Sequence, residues 1–234
     1  MQTPQEKAFE ILKEKIVFFD IETIRQYDPT QQEKRNDETT DIRAKKYWEN
    51  NEPWRMALYP EFGKVVAIVF GYEQTEPNWI EVELKSWIIK WDDEKKILED
   101  AAIIFDKCPI LWGFNILSFD IPFLCRRYMV HGMQIPKAIN TYGMKPRDVP
   151  HIDVMNMWKM WGIAAGLETI CNTLGIATPK WWEVEWSTLN EKYRASKESQ
   201  WLMDLFMQQT GDYCKKDVIA TIAVFNKIKN SFIL

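Results

Sequence analysis

The sequence predicts an α/β fold in which a mixed β-sheet is covered by helices. Two observations predict it: three short β-branched and aromatic segments come first, and two more such segments then alternate with stretches of helical periodicity. Of the 234 residues, 46% are apolar and 27% charged, which supplies enough hydrophobic material for a full-sized core. No repeat, low-complexity tract or Gly/Ser linker divides the chain, so we expect one domain over residues 1–234.

The first three strands are predicted from short apolar runs. The run Ile16–Ile21 is β-branched and aromatic, and the predicted strand ends in two acids, Asp20 and Glu22. Strand patterns return at Lys64–Tyr72 and at Trp79–Ile89. The remaining predicted elements are, in chain order, a helix capped by Asp92 or Asp93, a strand at Pro109–Phe114, a helix from Ser118 or Phe119 to a left-handed cap at Gly132, a strand at Pro150–Met155, a helical region at about 157–175 and a last helix from near Asp212 to Lys229.

Composition excludes several classes of protein. The longest apolar run, Val65–Phe70, is far shorter than the roughly 20 residues that cross a bilayer. The first residues mix Gln, Glu and Lys, unlike a signal peptide, so we expect a cytoplasmic protein with no membrane partner. The four cysteines form no C-x-x-C pair, which argues against a zinc ribbon and predicts buried reduced thiols.

The net charge does not decide whether the partner is a nucleic acid. A value of −4 argues against a strongly basic coat. Two divalent cations held by carboxylates would bring the sum to zero, however.

The first motif with chemical content is the FFDIET sequence at residues 18–23. Asp20 and Glu22 are two apart on a strand and therefore share a face, where their charges repel unless a cation joins them. The D-x-E pattern alone is weak evidence, because the chain repeats it at Asp92–Glu94 as ordinary helix-start acids.

The second motif is GFNILSFDIPFL at residues 113–124, a strand that runs into a helix. Asn115, Phe119 and Asp120 lie on this strand-to-helix turn, where sites in α/β sheets gather. Simple capping of the helix by Asp120 is the alternative interpretation.

The third motif is YCKKD at residues 213–217. Tyr213 and Asp217 are four apart and share one face of the predicted last helix. The apolar face that continues to Val224 places Asp217 toward the core, where a carboxylate needs a partner such as a metal ion.

Together the three motifs resemble those of the DEDD exonuclease superfamily, tyrosine subtype, as found in the proofreading domains of family-B DNA polymerases. The D-I-E-T, N-x-x-x-F-D and Y-x-x-x-D patterns are intact, and the resemblance spans about residues 16–228. It implies an RNase H-like fold with a mixed central sheet of about five strands flanked by helices. It also implies 3′–5′ exonuclease activity that releases nucleoside 5′-monophosphates.

The resemblance assigns roles residue by residue. Asp20, Glu22 and Asp217 would bind one metal ion. Asp20 would bridge to a second ion, which Asp120 would help to hold. Tyr213 would orient the attacking water, and the terminal nucleotides would be contacted by Thr23, Asn115 and Phe119. The tyrosine stands where the sister subtype has histidine, and neither His131 nor His151 is near Asp217 in the sequence.

The chemistry agrees with these assignments. Oxygen-only ligands favour Mg²⁺ or Mn²⁺ over zinc, and two such ions about 3.5–4 Å apart stabilise the entering and leaving oxygens of an in-line displacement at phosphorus. A tyrosine with an ordinary pKa of about 10 is better suited to position water than to act as a full base.

The expected substrate is the 3′ end of single-stranded DNA. Two alternatives stay open: an exoribonuclease, because contacts to the 2′-hydroxyl are not visible in a sequence, and a catalytically silent nucleic-acid-binding domain. The chain ends soon after the third motif, so any replication or repair partner is expected to be a separate protein.

Two segments have no counterpart in the resemblance, namely an insertion at about 25–58 and residues 181–209, which belong to a Trp-rich segment at about 158–209. Tryptophans such as Trp181, Trp182 and Trp186 either pack or stack bases. The pairs Arg126–Arg127 and Lys215–Lys216 either meet phosphates or lie on solvated helix faces. His151 and Asp153 are either a ligand pair or ordinary strand residues.

Overall fold

The computed structural model describes residues 16–26, 50, 53–73, 84–177 and 188–232. Its strands are β1 (Val17–Arg25), β2 (Gly63–Glu73), β3 (Leu84–Lys90), β4 (Leu111–Gly113) and β5 (Ile152–Asp153). Its α-helices are α1 (Glu94–Phe105), α2 (Asp120–Val130), α3 (Val154–Lys159), α4 (Leu167–Leu174), α5 (Leu189–Ser196) and α6 (Gln200–Ile228). Short 3₁₀ turns occupy Pro53–Leu58, Pro146–Asp148 and Lys229–Ser231.

The five strands form one mixed sheet in the order β3-β2-β1-β4-β5, which confirms the predicted fold class. The strand β2 pairs antiparallel with both β1 and β3. The strand β4 pairs parallel with both β1 and β5. The parallel pairs need crossover connections, and helices supply them between β3 and β4 and between β4 and β5. The strand β1 is therefore central, with one antiparallel and one parallel neighbour.

The strand β1 presents alternate residues to two apolar cores. Val17, Phe19 and Ile21 lie in the core that α1 and α2 cover. Phe18 lies in the other core, with side chains from α3, α4 and α6. Because side chains two apart share a face, Asp20 and Glu22 continue the Phe18 row toward α6.

The acids of the first motif lie inside β1 and not at its end, which corrects the predicted boundary. The strand continues to Arg25 because its antiparallel pairing with β2 continues that far, with a register shift between Glu22 and Thr23. Backbone pairing of a central strand outweighs the change from apolar to acidic side chains.

The last helix, α6, begins at Gln200 and not near Asp212. The Ser199 side chain caps it by accepting a hydrogen bond from the Leu202 N–H. Gly211 lies within this helix although glycine lowers helix propensity. A Cβ at this position would stand 2.7 Å from Cγ2 of Ile88, so the glycine allows α6 to pack closely against β3.

The strand predicted at Pro150–Met155 is shorter in the structure, where Pro150 and His151 lie outside any strand and Val154 and Met155 already belong to α3. Only Ile152–Asp153 pairs in the sheet, and α3 starts at once because the Asp153 carboxylate accepts from the Met155 N–H as an N-cap. The helical region predicted over 157–175 is interrupted, since α3 ends at Lys159, its C-cap Met160 has φ 41°, and α4 starts only at Leu167.

Other boundaries agree with the sequence. Asp93 caps α1, and Gly132 follows α2 in the left-handed region with φ 63°.

Some predictions lie outside the described residues. They concern most of the insertion, part of the predicted Trp79–Ile89 strand and the tryptophans at 181, 182 and 186. The four cysteines are free thiols, and all except the half-buried Cys125 are buried. Among the described residues, no helix combines the length and hydrophobicity needed to span a membrane.

Candidate active site

The candidate site lies where β1 faces α6. Glu22 is buried, and Asp20 keeps part of its surface open to solvent. Because Val17, Phe19 and Ile21 face the α1–α2 core, the alternation of β1 turns both carboxylates away from it.

The second motif reaches this place through the first residue of α2. Asp120 is 2% exposed, and its Oδ1 accepts a hydrogen bond of 3.2 Å from the backbone N–H of Ile21. Ile21 lies between Asp20 and Glu22 in β1, so this bond joins the first and second motifs across a sequence separation of 99 residues.

The loop between β4 and α2 follows a tight path. A Cβ on Gly113 would lie 2.7 Å from the Phe19 carbonyl and 2.3 Å from Cγ2 of Ile116, so only glycine fits beside β1 there. Asn115 adopts φ 62°, a conformation that asparagine tolerates better than most residues, and its carbonyl accepts from the N–H groups of Ser118 and Phe119. This turn starts α2 and thereby directs Asp120 toward β1.

The third motif faces the site from α6. The Cys214 thiol lies 3.3 Å from the Asp20 carbonyl and 3.4 Å from its Oδ2, as a donor to both. Potential ligand atoms of Asp20, Glu22 and Cys214 all lie within 4.8 Å of one another. Tyr213 is buried, and the charges of Asp217, Glu22 and Asp20 all act on its phenol, so the tyrosine of the motif also lies near these acids.

Electrostatics show that the carboxylates act on one another. Burial first, and then the charges of Asp120, Asp217 and Glu22, hold the pKa of Asp20 well above its ordinary value. Burial also raises the pKa of Asp120 to about 8, with contributions from Asp153 and Asp217. The four predicted acids therefore form one electrostatic cluster.

The tyrosine and the thiol of α6 both remain protonated at neutral pH. Burial, followed by the charge of Asp217, raises the pKa of Tyr213 above its ordinary value. Burial, followed by the charge of Asp20, raises the pKa of Cys214. Tyr213 is thus a hydrogen-bond donor, and Cys214 is a poor candidate for a thiolate ligand.

The donor set suits hard divalent cations. Clustered carboxylates that raise one another's pKa are stabilised in their charged form by a cation. Carboxylate oxygens are the ligands that Mg²⁺ and Mn²⁺ prefer. The residues that could hold such ions are Asp20, Glu22, Asp120 and Asp217.

The three residues expected to contact nucleotides lie beside this cluster in sequence. Thr23 is buried, and its hydroxyl donates to the Ala57 carbonyl at 2.8 Å. Phe119 is half-buried and packs against Phe123 with ring centroids 5.5 Å apart. Asn115 is half-buried in the loop described above. Their contact with substrate stays a prediction.

Two residues considered as possible ligands of phosphate or metal have structural partners instead. Arg127 is buried and forms two hydrogen bonds to the Glu94 carboxylate, from Nε at 2.9 Å and from Nη2 at 2.5 Å. His151 uses both ring nitrogens on backbone groups, those of Leu111 at 3.2 Å and Ala138 at 2.7 Å. Neither side chain is available to a ligand.

The sequence predicts Cys214 only as a small buried hydrophobe, whereas it offers Asp153 as a possible ligand. The position of Cys214 next to Tyr213 in the third motif is the signal that could have placed it beside the acids. Asp153 lies at the end of β5, parallel to β4. A polar residue at the end of a parallel strand is the pattern that favours a place for Asp153 near the site.

Comparisons with known proteins agree with this geometry. Residues 57–231 match the model of a family described as "Predicted 3'-5' exonuclease related to the exonuclease domain of PolB". This range contains Asp120, Tyr213 and Asp217 and begins after Asp20 and Glu22. No curated protein matches the sequence.

The fold is similar to part of the family B DNA polymerase from the hyperthermophilic archaeon Pyrobaculum calidifontis. The TM-score is 0.54 at 13% sequence identity, and the match covers 92% of this chain but only 24% of the polymerase. Together with the family match, this similarity shows the RNase H-like fold. With the family match over most of its length, the chain belongs to the family of predicted 3′–5′ exonucleases related to the exonuclease domain of PolB.

Proposed function

We propose that this protein is a metal-dependent exonuclease of the tyrosine DEDD subtype that removes nucleotides from the 3′ end of single-stranded DNA. The products are nucleoside 5′-monophosphates. The observation that carries the proposal is the meeting of three distant segments at one place: Asp120 at the start of α2 bonds to the Ile21 N–H of β1, and the ligand atoms of Asp20 and Glu22 lie within 4.8 Å of Cys214 on α6.

Four acids would hold two Mg²⁺ or Mn²⁺ ions: Asp20, Glu22, Asp120 and Asp217. When bound, the ions supply an activated water and stabilise charge on the entering and leaving oxygens of an in-line displacement. The protein contributes a fixed arrangement of carboxylates. The Ile21 N–H orients Asp120 and the Cys214 thiol orients Asp20, so neither side chain must be ordered when an ion binds.

Tyr213 acts as a hydrogen-bond donor. Its raised pKa keeps the phenol protonated through the physiological range, so it does not remove a proton from water. A buried phenol on the same helix as Asp217 orients the attacking water and stabilises charge that develops on oxygen.

The terminal nucleotides would lie against the loop between β4 and α2. The half-exposed ring of Phe119 offers a stacking surface for an unpaired base, and such stacking is worth about 1–3 kcal/mol. Asn115 provides a side-chain amide for hydrogen bonds to these nucleotides. Thr23, which follows Glu22 in β1, would contact them from the strand. Cytoplasmic location and action beside a separate replication or repair protein stay predictions.

A digestion assay tests the proposal. Single-stranded DNA and RNA of identical sequence, each labelled at the 5′ end, are incubated with Mg²⁺, Mn²⁺ or EDTA. We expect a ladder of shortening DNA products with either metal and none with EDTA or with the Asp20→Ala variant. Digestion of RNA alone would identify an exoribonuclease, and digestion of neither polymer would identify a silent binding domain.

A further inference from the structure

The junction between β4 and β5 contains a buried carboxylate outside the predicted metal site. These strands pair over only two positions, Trp112 with Ile152 and Gly113 with Asp153. Beyond Gly113 the sheet no longer supplies acceptors for the loop that leads to α2. Backbone N–H groups of this partly buried loop need other partners.

Asp153 supplies these acceptors. Its Oδ1 accepts from the Asn115 N–H at 2.9 Å and from the Met155 N–H at 3.0 Å, and its Oδ2 accepts from the Leu117 N–H at 3.2 Å. The residue is 3% exposed. One carboxylate therefore joins the strand β5, the first turn of α3 and the loop of the second motif.

Further hydrogen bonds connect this loop to Asp120 in the proposed metal site. The Asn115 carbonyl accepts from Ser118 at 3.2 Å and from Phe119 at 3.0 Å, which closes the turn before α2. The next residue is Asp120, whose carboxylate bonds to β1. Hydrogen bonds thus continue from Asp153 through the loop to the residue before Asp120.

We propose that Asp153 is a positioning residue of the exonuclease site, which holds the loop at 114–119 so that Asn115 faces the substrate and Asp120 faces β1. This inference rests on the proposed function for the role of the loop. Asp153 has no part in the chemical step. Partners that orient ligands in this way typically change metal affinity or activity by about 10–100-fold when removed.

His151 provides a matched control on the same strand segment. Its ring accepts from the Leu111 N–H at the start of β4 and donates to the Ala138 carbonyl. It therefore braces β4 at the end remote from the loop. A His151→Gln variant weakens this support without touching the loop at 114–119.

The experiment separates positioning from simple helix capping. Serine is also a good N-cap, so Asp153→Ser retains the cap of α3 but is too short to reach both loop N–H groups. Asp153→Ala loses all three hydrogen bonds. For each variant the Kd of Mn²⁺ is measured by calorimetry without substrate, kcat is measured on single-stranded DNA, and the melting temperature is measured in EDTA.

We expect both Asp153 variants to bind Mn²⁺ about 10–100-fold more weakly and to lose kcat by a similar factor, although Asp153→Ser melts above Asp153→Ala. His151→Gln should lower the melting temperature and keep the wild-type Kd and kcat. Wild-type Mn²⁺ affinity in Asp153→Ser, or an equal loss of affinity in His151→Gln, would overturn the inference.

Two further results keep the conclusions distinct. If Asp153→Ser fails to fold, Asp153→Asn replaces it, because an asparagine retains the cap and the Asn115 bond and loses only the bond from Leu117. If the wild-type protein cuts no substrate, the proposed function fails, while the Mn²⁺ affinities still decide whether Asp153 positions Asp120.

Discussion

Two clusters of buried charge in this protein contain acids in opposite situations. Glu94, at the start of α1, accepts from Arg127 through both oxygens and also bonds to the Val65 N–H and to His131. Asp20, in β1, is influenced by burial and by three other carboxylates, which raise its pKa.

The difference separates structure from function. The chain itself supplies a cation to Glu94, so its cluster joins α1, α2 and β2 without a bound ion. The cluster around Asp20 carries like charges whose repulsion destabilises the fold until a cation binds. Such a cluster of carboxylates in the interior is typical of a site that binds a cation.

The largest effect is expected from Asp20→Ala. Loss of a ligand to both proposed ions should reduce cleavage by about 10³-fold or more, since metal stabilisation of the transition state is worth several kcal/mol. The metal-free variant should be as stable as the wild type or more stable, because one repelling charge is gone. Cleavage rates and thermal melting in EDTA measure both. A variant that unfolds would show that Asp20 is a structural residue.

Arg127→Met should have the reverse outcome in the other cluster. Leaving Glu94 as an unpaired buried charge is expected to cost about 3–5 kcal/mol of unfolding free energy. Urea denaturation measures the change. The neighbouring Arg126 is exposed and lies 3.8 Å from Glu61, so Arg126→Met should cost less than about 1 kcal/mol. Equal costs for both arginines would contradict the distinction between the clusters.

Tyr213→Phe should slow cleavage by about 10²-fold while the protein folds normally, because only a hydrogen-bond donor is lost. Single-turnover rates on DNA measure the effect. Tyr193→Phe is the matched control, since this hydroxyl bonds to Lys64 at 2.7 Å and to Asp92 at 2.5 Å, outside the site. The control should lose stability and keep its turnover; full activity in Tyr213→Phe would remove the tyrosine from the mechanism.

The smallest effect is a pH dependence of stability. In the folded protein the pKa of Asp20 is raised and the pKa of Asp120 is about 8, so both carboxyls hold their protons above pH 4. In the unfolded chain both release these protons near pH 4. Because the folded state binds more protons in this range, metal-free stability should fall as pH rises from about 4 to about 8.

A divalent cation favours the charged carboxylates, so the melting-temperature increase caused by Mn²⁺ should be larger at pH 8 than at pH 6. Melting curves with Mn²⁺ and with EDTA at both pH values measure it. In Asp20→Ala this difference between the two pH values should shrink. A gain from Mn²⁺ that is independent of pH would show that the raised pKa values do not belong to the binding site.

Much of the site was predictable from local patterns. The two-residue spacing of Asp20 and Glu22 predicts that they share a face of β1, and the four-residue spacing of Tyr213 and Asp217 predicts that they share a face of α6. The strand-to-helix turn before Asp120 was also visible in the sequence. These features depend only on the geometry of a single strand or helix.

The element boundaries and the supporting residues were less predictable. Sheet pairing extends β1 past its acids, and the contact of Gly211 with Ile88 makes a glycine acceptable inside α6. The sequence offers Arg127 as a possible phosphate ligand, but in the structure it pairs with Glu94, which is 33 residues away in the chain. Such pairings depend on long-range contacts that no local pattern records.

By itself, the sequence determined the fold class, the three motifs and the faces on which their acids lie, because these follow from short-range periodicity. Only the tertiary structure decided that the acids of β1, α2 and α6 raise one another's pKa, that Asp153 anchors the loop at 114–119 and that Arg127 is unavailable to substrate. The physical reason is that burial and electrostatic interaction depend on distances in space, which sheet order and helix packing establish after the local elements have formed.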